Sequence, residues 1–199
     1  MQTLVVAAEK GQRVAITKSN PGLVNIIILV YWDPATKPGE KFDLDVAALF
    51  LDANKKVGSA QDLLYYGTPN FAHPAGCAIH SGDSLDGMDT GPDETIAIRL
   101  DKVPAKDQRI RLVLSIFQAG TRGQTFGRVD NVKVEVLNAD TKEKLIDFEI
   151  TDQHADATAL VLCDFYRVGN EWNFQGLSEE LDPLMGKKFE DINDALALY

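Results

Sequence analysis

The feature that most restricts the fold of this chain is a succession of short β-type segments separated by turns, with no helical spacing between them. Arg13–Thr17, Val24–Trp32, Asp45–Leu51, Leu63–Tyr66, Thr95–Leu100, Ile110–Phe117, Val132–Leu137, Leu145–Ile150 and Ala159–Tyr166 are rich in Val, Ile, Leu, Phe and Tyr, and Glu171–Phe174 is a shorter run of the same kind. Several alternate. Ile96, Ile98 and Leu100 share one face against Thr95, Ala97 and Arg99, and Val132, Val134 and Val136 oppose Lys133 and Glu135. Period two with one polar face predicts antiparallel strands half covered by a core. Asn25–Tyr31 and Val46–Leu51 are apolar on both faces, the pattern expected of central strands in two packed sheets. Asn20-Pro21-Gly22, Lys37-Pro38-Gly39, Pro74-Ala75-Gly76 and Gly169-Asn170 supply turns. About ten such strands predict an all-β fold, a β-sandwich of two antiparallel sheets. Helix is expected only as short C-terminal segments: Ser178 capping a turn, then Phe189, Ile192 and Leu196 at helical spacing within Phe189–Leu198. With no repeat or linker in view, residues 1–199 read as a single domain.

Charge excludes some partners. The chain carries 30 acids against 20 bases, a formal charge of −10, so it lacks the positive surface that nucleic-acid phosphates or anionic lipid require. The opening MQTLVVAAEKGQRV has no basic start and too short an apolar run for a signal peptide. The longest apolar stretch, Leu23 to Trp32, is broken by Asn25 and falls far short of the ~20 residues a membrane helix needs. Cys77 and Cys163 fit no metal or redox spacing and read as free thiols. Together these features predict a cytoplasmic protein.

The acids are unevenly placed. Gly82 to Glu94 reads GDSLDGMDTGPDE, with Asp83, Asp86, Asp89, Asp93 and Glu94 among three glycines, just before a strand. Carboxylates this close repel one another, and a hard divalent cation removes the conflict. Calcium takes six to eight oxygen ligands at about 2.3–2.6 Å in flexible geometry, backbone carbonyls included, which suits a glycine-bearing loop. The loop is not an EF-hand: counted from Asp83, Leu85, Gly87 and Met88 occupy the places where that motif needs oxygen ligands and a glycine. A solvated acidic turn is the competing reading. A second pair bears on the choice. Asp43 and Asp45 open an apolar strand two residues apart, on one face and about 6.5–7 Å from each other, so both can address one ion cluster. Burying two such carboxylates unpaired would be costly.

The order of these elements resembles the TerD family of tellurite-resistance and general stress proteins. The resemblance runs from about Gly22 to Phe174. It is carried by Trp32-Asp33, Phe42-Asp43-Leu44-Asp45, the Gly82–Glu94 loop, Val103-Pro104, Gln124-Thr125-Phe126-Gly127-Arg128-Val129-Asp130-Asn131, Phe165-Tyr166-Arg167 and Glu171-Trp172. It implies a calcium-binding β-sandwich of the bacterial cytoplasm that acts as a binding or scaffold module in stress response. Partners would be other proteins of a stress-response complex, peripheral membrane-associated ones included. The ligands carried over are Asp43, Asp45, Asp83, Asp86, Asp93 and Glu94, with backbone oxygens near Leu85, Gly87 and Asp89 and an oxygen from Ser84. With Asp89 counted, seven acids would balance two calcium ions. The chain departs from the family pattern at Ser84 (asparagine there), at Asp86 (threonine there) and at Pro92. It also has Tyr66-Gly67-Thr68 where the family often has an asparagine after the tyrosine.

The remaining candidates are plainer. His80 precedes the acidic loop, but calcium prefers oxygen, so a packing role is expected, and His154 sits in a polar turn. Gly120-Thr121-Arg122-Gly123-Gln124 lacks the Lys-Ser/Thr ending of a phosphate loop. The rival function is a metal-dependent phosphoester hydrolase using the same acids, with Asp43 and Asp45 as its working pair.

Overall fold

In the computed structural model, which describes residues 5–34, 42–82 and 91–199, the β-type segments assemble into two facing sheets. The strands are β1 (Val6–Ala8), β2 (Arg13–Val14), β3 (Asn25–Pro34), β4 (Leu44–Leu51), β5 (Leu63–Leu64), β6 (Ala78–His80), β7 (Glu94–Arg99), β8 (Arg109–Ile116), β9 (Val129–Asn138), β10 (Lys144–Glu149), β11 (Ala159–Val168) and β12 (Glu171–Glu180). One sheet runs β1-β10-β9-β3-β7-β6 and the other β2-β12-β11-β8-β4-β5. The predicted β-sandwich is therefore observed. Its pairings are antiparallel except at one edge, where β1 lies parallel to β10.

Alternation decides which side chains meet between the sheets. Ile26, Ile28 and Val30 of β3, Ile96 and Ile98 of β7, and Val134 and Val136 of β9 point inward to Leu44, Val46, Ala48 and Phe50 of β4 and Leu112 and Leu114 of β8. In the second sheet, all eight residues of β4 are buried. A sandwich covers only one face of each sheet, so the expectation that double burial marks a central strand of two packed sheets needs correcting. The outer face of β4 is closed by the chain's own C-terminal segment. Phe189, Ile192 and Ala195 pack there on Ala47, Leu49, Leu51, Val113 and Val161. Tyr199 completes the closure. Its ring lies 5.0 Å from the Arg111 guanidinium, and its hydroxyl accepts from Arg111 Nη1 at 2.9 Å. The opposite side of that guanidinium makes a two-bond pair with Asp164, Nε to Oδ1 and Nη2 to Oδ2, both 2.8 Å.

Local differences from the sequence expectation have physical causes. The run Arg13–Thr17 stops as a strand after Val14, and α1 (Ile16–Ser19) follows. Asn20 Nδ2 donates to the Ile16 carbonyl at 2.8 Å, and Thr17 Oγ1 accepts the Trp172 N–H at 2.8 Å in place of a ladder bond. Ser178 caps no turn. It lies inside β12, 1% exposed, with φ +58°, where the pairing with β11 shifts by a residue between Val161 and Cys163. It is the extra residue of a bulge. Two residues earlier, a Cβ on Gly176 would stand 2.6 Å from the Phe148 ring, so only glycine lets these sheets approach. The expected C-terminal helix is a 3-10 stretch, Ile192–Ala197, started by an Asp191–Asp194 capping box, with a single α-turn before it, α3 (Asp182–Met185). A further α-helical turn, α2 (Ala119–Arg122), follows β8.

Phe189 is fully buried in the outer layer. Phe189→Ala is expected to lower unfolding free energy by about 3–5 kcal/mol in urea denaturation. A loss below about 1 kcal/mol would mean the C-terminal segment is not part of the cooperative core.

Candidate functional site

At the end of the sandwich where β4 and β7 begin, polar groups from one sheet reach the backbone of the other. Strand β5 pairs with β4 only at Ala48 and Leu49, which leaves the Val46 amide and carbonyl on that same edge without a strand partner. Glu94, the first residue of β7, fills the place: its Oε2 accepts the Val46 N–H at 2.8 Å. His80, the last residue of β6, takes the other group, with Nε2 3.0 Å from the Val46 carbonyl. His80 Nδ1 accepts the Gly82 N–H at 3.0 Å, so the ring proton sits on Nε2 and donates to Val46. The two side chains are themselves adjacent, Nε2 to Oε2 at 3.4 Å, and neither is measurably exposed. This crossbar ties the sheets together through polar contacts at a buried edge.

The acid beside it is oriented in a similar way. Asp93 Oδ2 accepts the Trp32 N–H at 2.9 Å, while the Asp93 N–H donates to the Val30 carbonyl at 3.0 Å. Asp93 also lines a cavity of about 440 Å³ with Trp32, Gly91, Asn131 and Lys133. Asp45 lies next to Val46 and opposite Ser115 on β8, 2% exposed. Asp43 extends the same outward-facing register, and its carbonyl accepts the Phe117 N–H at 2.8 Å. Among the predicted ligands, then, Asp45, Asp93 and Glu94 are buried at one end of the molecule, with Asp43 partly exposed beside them. Asp83, Ser84, Leu85, Asp86, Gly87 and Asp89 lie outside the described residues. The segment that carries them leaves from a fixed stem: Ser81 N–H donates to the Thr95 carbonyl, and Thr95 N–H to Ser81 Oγ, both at 2.9 Å.

The structure assigns roles that residue types alone do not reveal. His80 has both ring nitrogens engaged with backbone groups, so it serves the frame rather than an ion. Gly127 is pressed against the turn after β10, where a Cβ would meet the Ala155 carbonyl at 2.7 Å. Arg128 stacks on Phe42 at 5.2 Å and Arg167 on Trp172 at 4.5 Å. Arg167 also donates to the Val103 carbonyl at 2.8 Å. These motif residues hold loops together. His154 stands between Ser178 Oγ (2.8 Å) and Glu180 Oε1 (3.0 Å), the order of a nucleophile relay. Ser178 is 1% exposed, so no substrate carbonyl reaches its oxygen, and the set ties the 151–156 turn to the β12 bulge. Both cysteines are free and buried; burial pushes the Cys77 thiol up to about 11 and raises Cys163 too. Neither offers a thiolate near neutral pH.

Removing His80 tests the crossbar. His80→Ala leaves the Val46 carbonyl without its donor at a dry edge. It is expected to cost about 2–3 kcal/mol in urea denaturation with chelator present. A change within about 0.5 kcal/mol of zero would show that the contact carries no stability.

Comparison with known proteins agrees with this architecture. The family model for the TerD domain matches residues 4–187. The chain is 36% identical over 175 residues to the protein YceE of Bacillus subtilis and 35% identical over 175 residues to general stress protein 16U of the same organism. Each alignment covers 87% of this chain and 90% of the relative. It is 31% identical over 174 residues to the tellurium resistance protein TerD of Serratia marcescens, covering 87% and 90%. The crystal structure of a homologue of telluride resistance protein from Streptomyces coelicolor superposes with a TM-score of 0.65 at 22% identity, covering 80% of this chain and 90% of that one. That likeness concerns the fold.

Proposed function

The chain belongs to the TerD family of tellurium-resistance and general stress proteins, and from that premise we propose that it is a calcium-ordered binding module and not an enzyme. The observation that carries this reading is that Asp45, Asp93 and Glu94, each under a tenth exposed, are buried at the end of the sandwich where β4 and β7 begin. Buried carboxylates are stabilised by positive charge and by hydrogen-bond donors. The donor set favours calcium. The one imidazole at the stem has both nitrogens bonded to backbone, so the groups that face an ion are oxygens. Backbone N–H groups from Trp32 and Val46 fix the Asp93 and Glu94 carboxylates, as outer contacts orient the ligands of metal sites. The ligands proposed are Asp43, Asp45, Asp93 and Glu94 together with Asp83, Ser84, Leu85, Asp86, Gly87 and Asp89 of the segment, around two ions.

Calcium supplies charge neutralisation and a fixed loop conformation here, and no step of covalent chemistry. Glu94 is fully buried and bonded to Val46, which removes it as a base for activating water. The end of the sandwich that carries this site is the surface offered to partners. We take these to be other proteins of a stress-response assembly in the cytoplasm, some of them at the membrane periphery. No described helix is long and apolar enough to cross a membrane itself.

Thermal melts in chelator, calcium and magnesium test the reading. At calcium a hundredfold above Kd, the folded state should gain about 2.7 kcal/mol. Asp45→Asn should lose most of that gain, while Asp140→Asn, in an exposed turn, keeps it. Absence of any calcium-dependent shift in the unaltered protein would sink the proposal.

A further inference from the structure

A separate group of metal-type ligands lies away from the acidic stem. Asp62 ends the 3-10 turn Ala60–Asp62, with Oδ2 accepting the Gly58 and Ser59 N–H groups at 3.0 and 2.9 Å. His73 follows the 3-10 turn Pro69–Phe71, its ring 4.3 Å from that of Phe50. Asp107 closes a turn through its N–H to the Pro104 carbonyl at 3.0 Å. Their exposures are 5%, 5% and 1%, and one ligand atom from each lies within 4.8 Å of the other two. Lys106 Nζ bridges the acids, 2.7 Å from Asp62 Oδ1 and 3.0 Å from Asp107 Oδ1. Two buried atoms remain without a hydrogen-bond partner: His73 Nε2, 4.0 Å from Asp62 Oδ1, and Asp107 Oδ2. Orphaned polar atoms at a dry site are costly, and here both belong to one cluster.

We propose that Asp62, His73 and Asp107 form a binding site for a divalent transition ion of the zinc type, which enters by displacing the Lys106 ammonium. One imidazole nitrogen and two carboxylate oxygens suit such an ion and do not suit calcium, whose ligands are oxygens. Ligands at about 2.0–2.2 Å from one ion lie no more than about 4.4 Å apart, so the observed spacing needs only small adjustment. An ion there satisfies His73 Nε2 and Asp107 Oδ2, which Lys106 does not reach. Lys106 is more than half exposed and is free to swing into solvent. A cavity of about 560 Å³, lined by Leu63, Tyr65, Thr68, Pro69 and His73, opens onto the site and leaves room for water as a further ligand.

The second nitrogen of His73 is prepared for this role. Ala75 N–H donates to Nδ1 at 3.2 Å, which places the ring proton on Nε2. Coordination through Nε2 moves that proton to Nδ1, where Cys77 Sγ, 3.4 Å away, accepts it. The exposed Ala75 N–H then turns to water, and the imidazole carries one proton before and after. Burial lowers the His73 pKa, against the pull of Asp107 and Asp62, and keeps the ring in the neutral form that binds metal.

The experiment uses the full chain with calcium at saturation, so that oxygen-only sites are filled. Cobalt(II) is added and its visible absorption followed; zinc affinity is then measured by competition with a chromophoric chelator. One cobalt per chain with nitrogen ligation, displaced by zinc, is expected. His73→Ala and Asp107→Asn should each weaken zinc by about tenfold or more, whereas His154→Ala, at a separate imidazole–carboxylate pair, should leave it unchanged. Lys106→Met should tighten zinc by about tenfold, a gain that a folding defect cannot produce. Zinc binding that survives His73→Ala, a loss confined to His154→Ala, or no tightening in Lys106→Met would each overturn the proposal. The calcium melts described above give their result independently.

Discussion

Strand β4 has no solvent face, and most of the molecule's arrangement answers that constraint. Leu44, Val46, Ala48 and Phe50 fill the space between the sheets, and Ala47, Leu49 and Leu51 must be covered from outside. The C-terminal segment does so with Phe189, Ile192 and Ala195, and Arg111 and Tyr199 fasten its end. Burying the strand also buries its edge. Beyond the two residues paired with β5, the Val46 peptide groups have to be satisfied without water, and Glu94 and His80 cross from the other sheet to do it.

That crossing connects stability to the candidate calcium site. The residue that completes the β4 edge is also the last acid of the acidic stretch, so its carboxylate is held against a rigid frame. His80 is given over to the frame, its two nitrogens serving the backbone. The Asp62–His73–Asp107 cluster obeys the opposite logic. A lysine neutralises its acids, but a nitrogen and an oxygen stay unsatisfied behind it. One region concentrates oxygen donors and the other mixes nitrogen with oxygen, so the two proposals concern different classes of cation.

Much of the sandwich was legible because period two reports directly which residues face a core. The alternations in β7 and β9 are seen as read, and the double-sided apolar pattern of Val46–Leu51 does mark a strand buried on both faces. What covers the second face was not legible, since the C-terminal segment meets it through a long-range contact that leaves no local period. The start of α1 and the bulge at Ser178 were missed for a related reason: side-chain bonds from Asn20 and Thr17, and a one-residue register shift, override intrinsic preference.

The sequence by itself determined the all-β class, the strand alternation and the clustering of acids near Asp43–Asp45 and before Glu94, because each is a property of neighbours along the chain. Only the tertiary structure decided that Glu94 and His80 would bond one peptide unit of β4, that the C-terminal segment would seal the same strand, and that Asp62, His73 and Asp107 would meet. Those residues come from separate turns and strands, and their proximity follows from how the sheets stack. Hydrogen bonds and coordination act over a few ångströms, a distance that sequence separation does not encode.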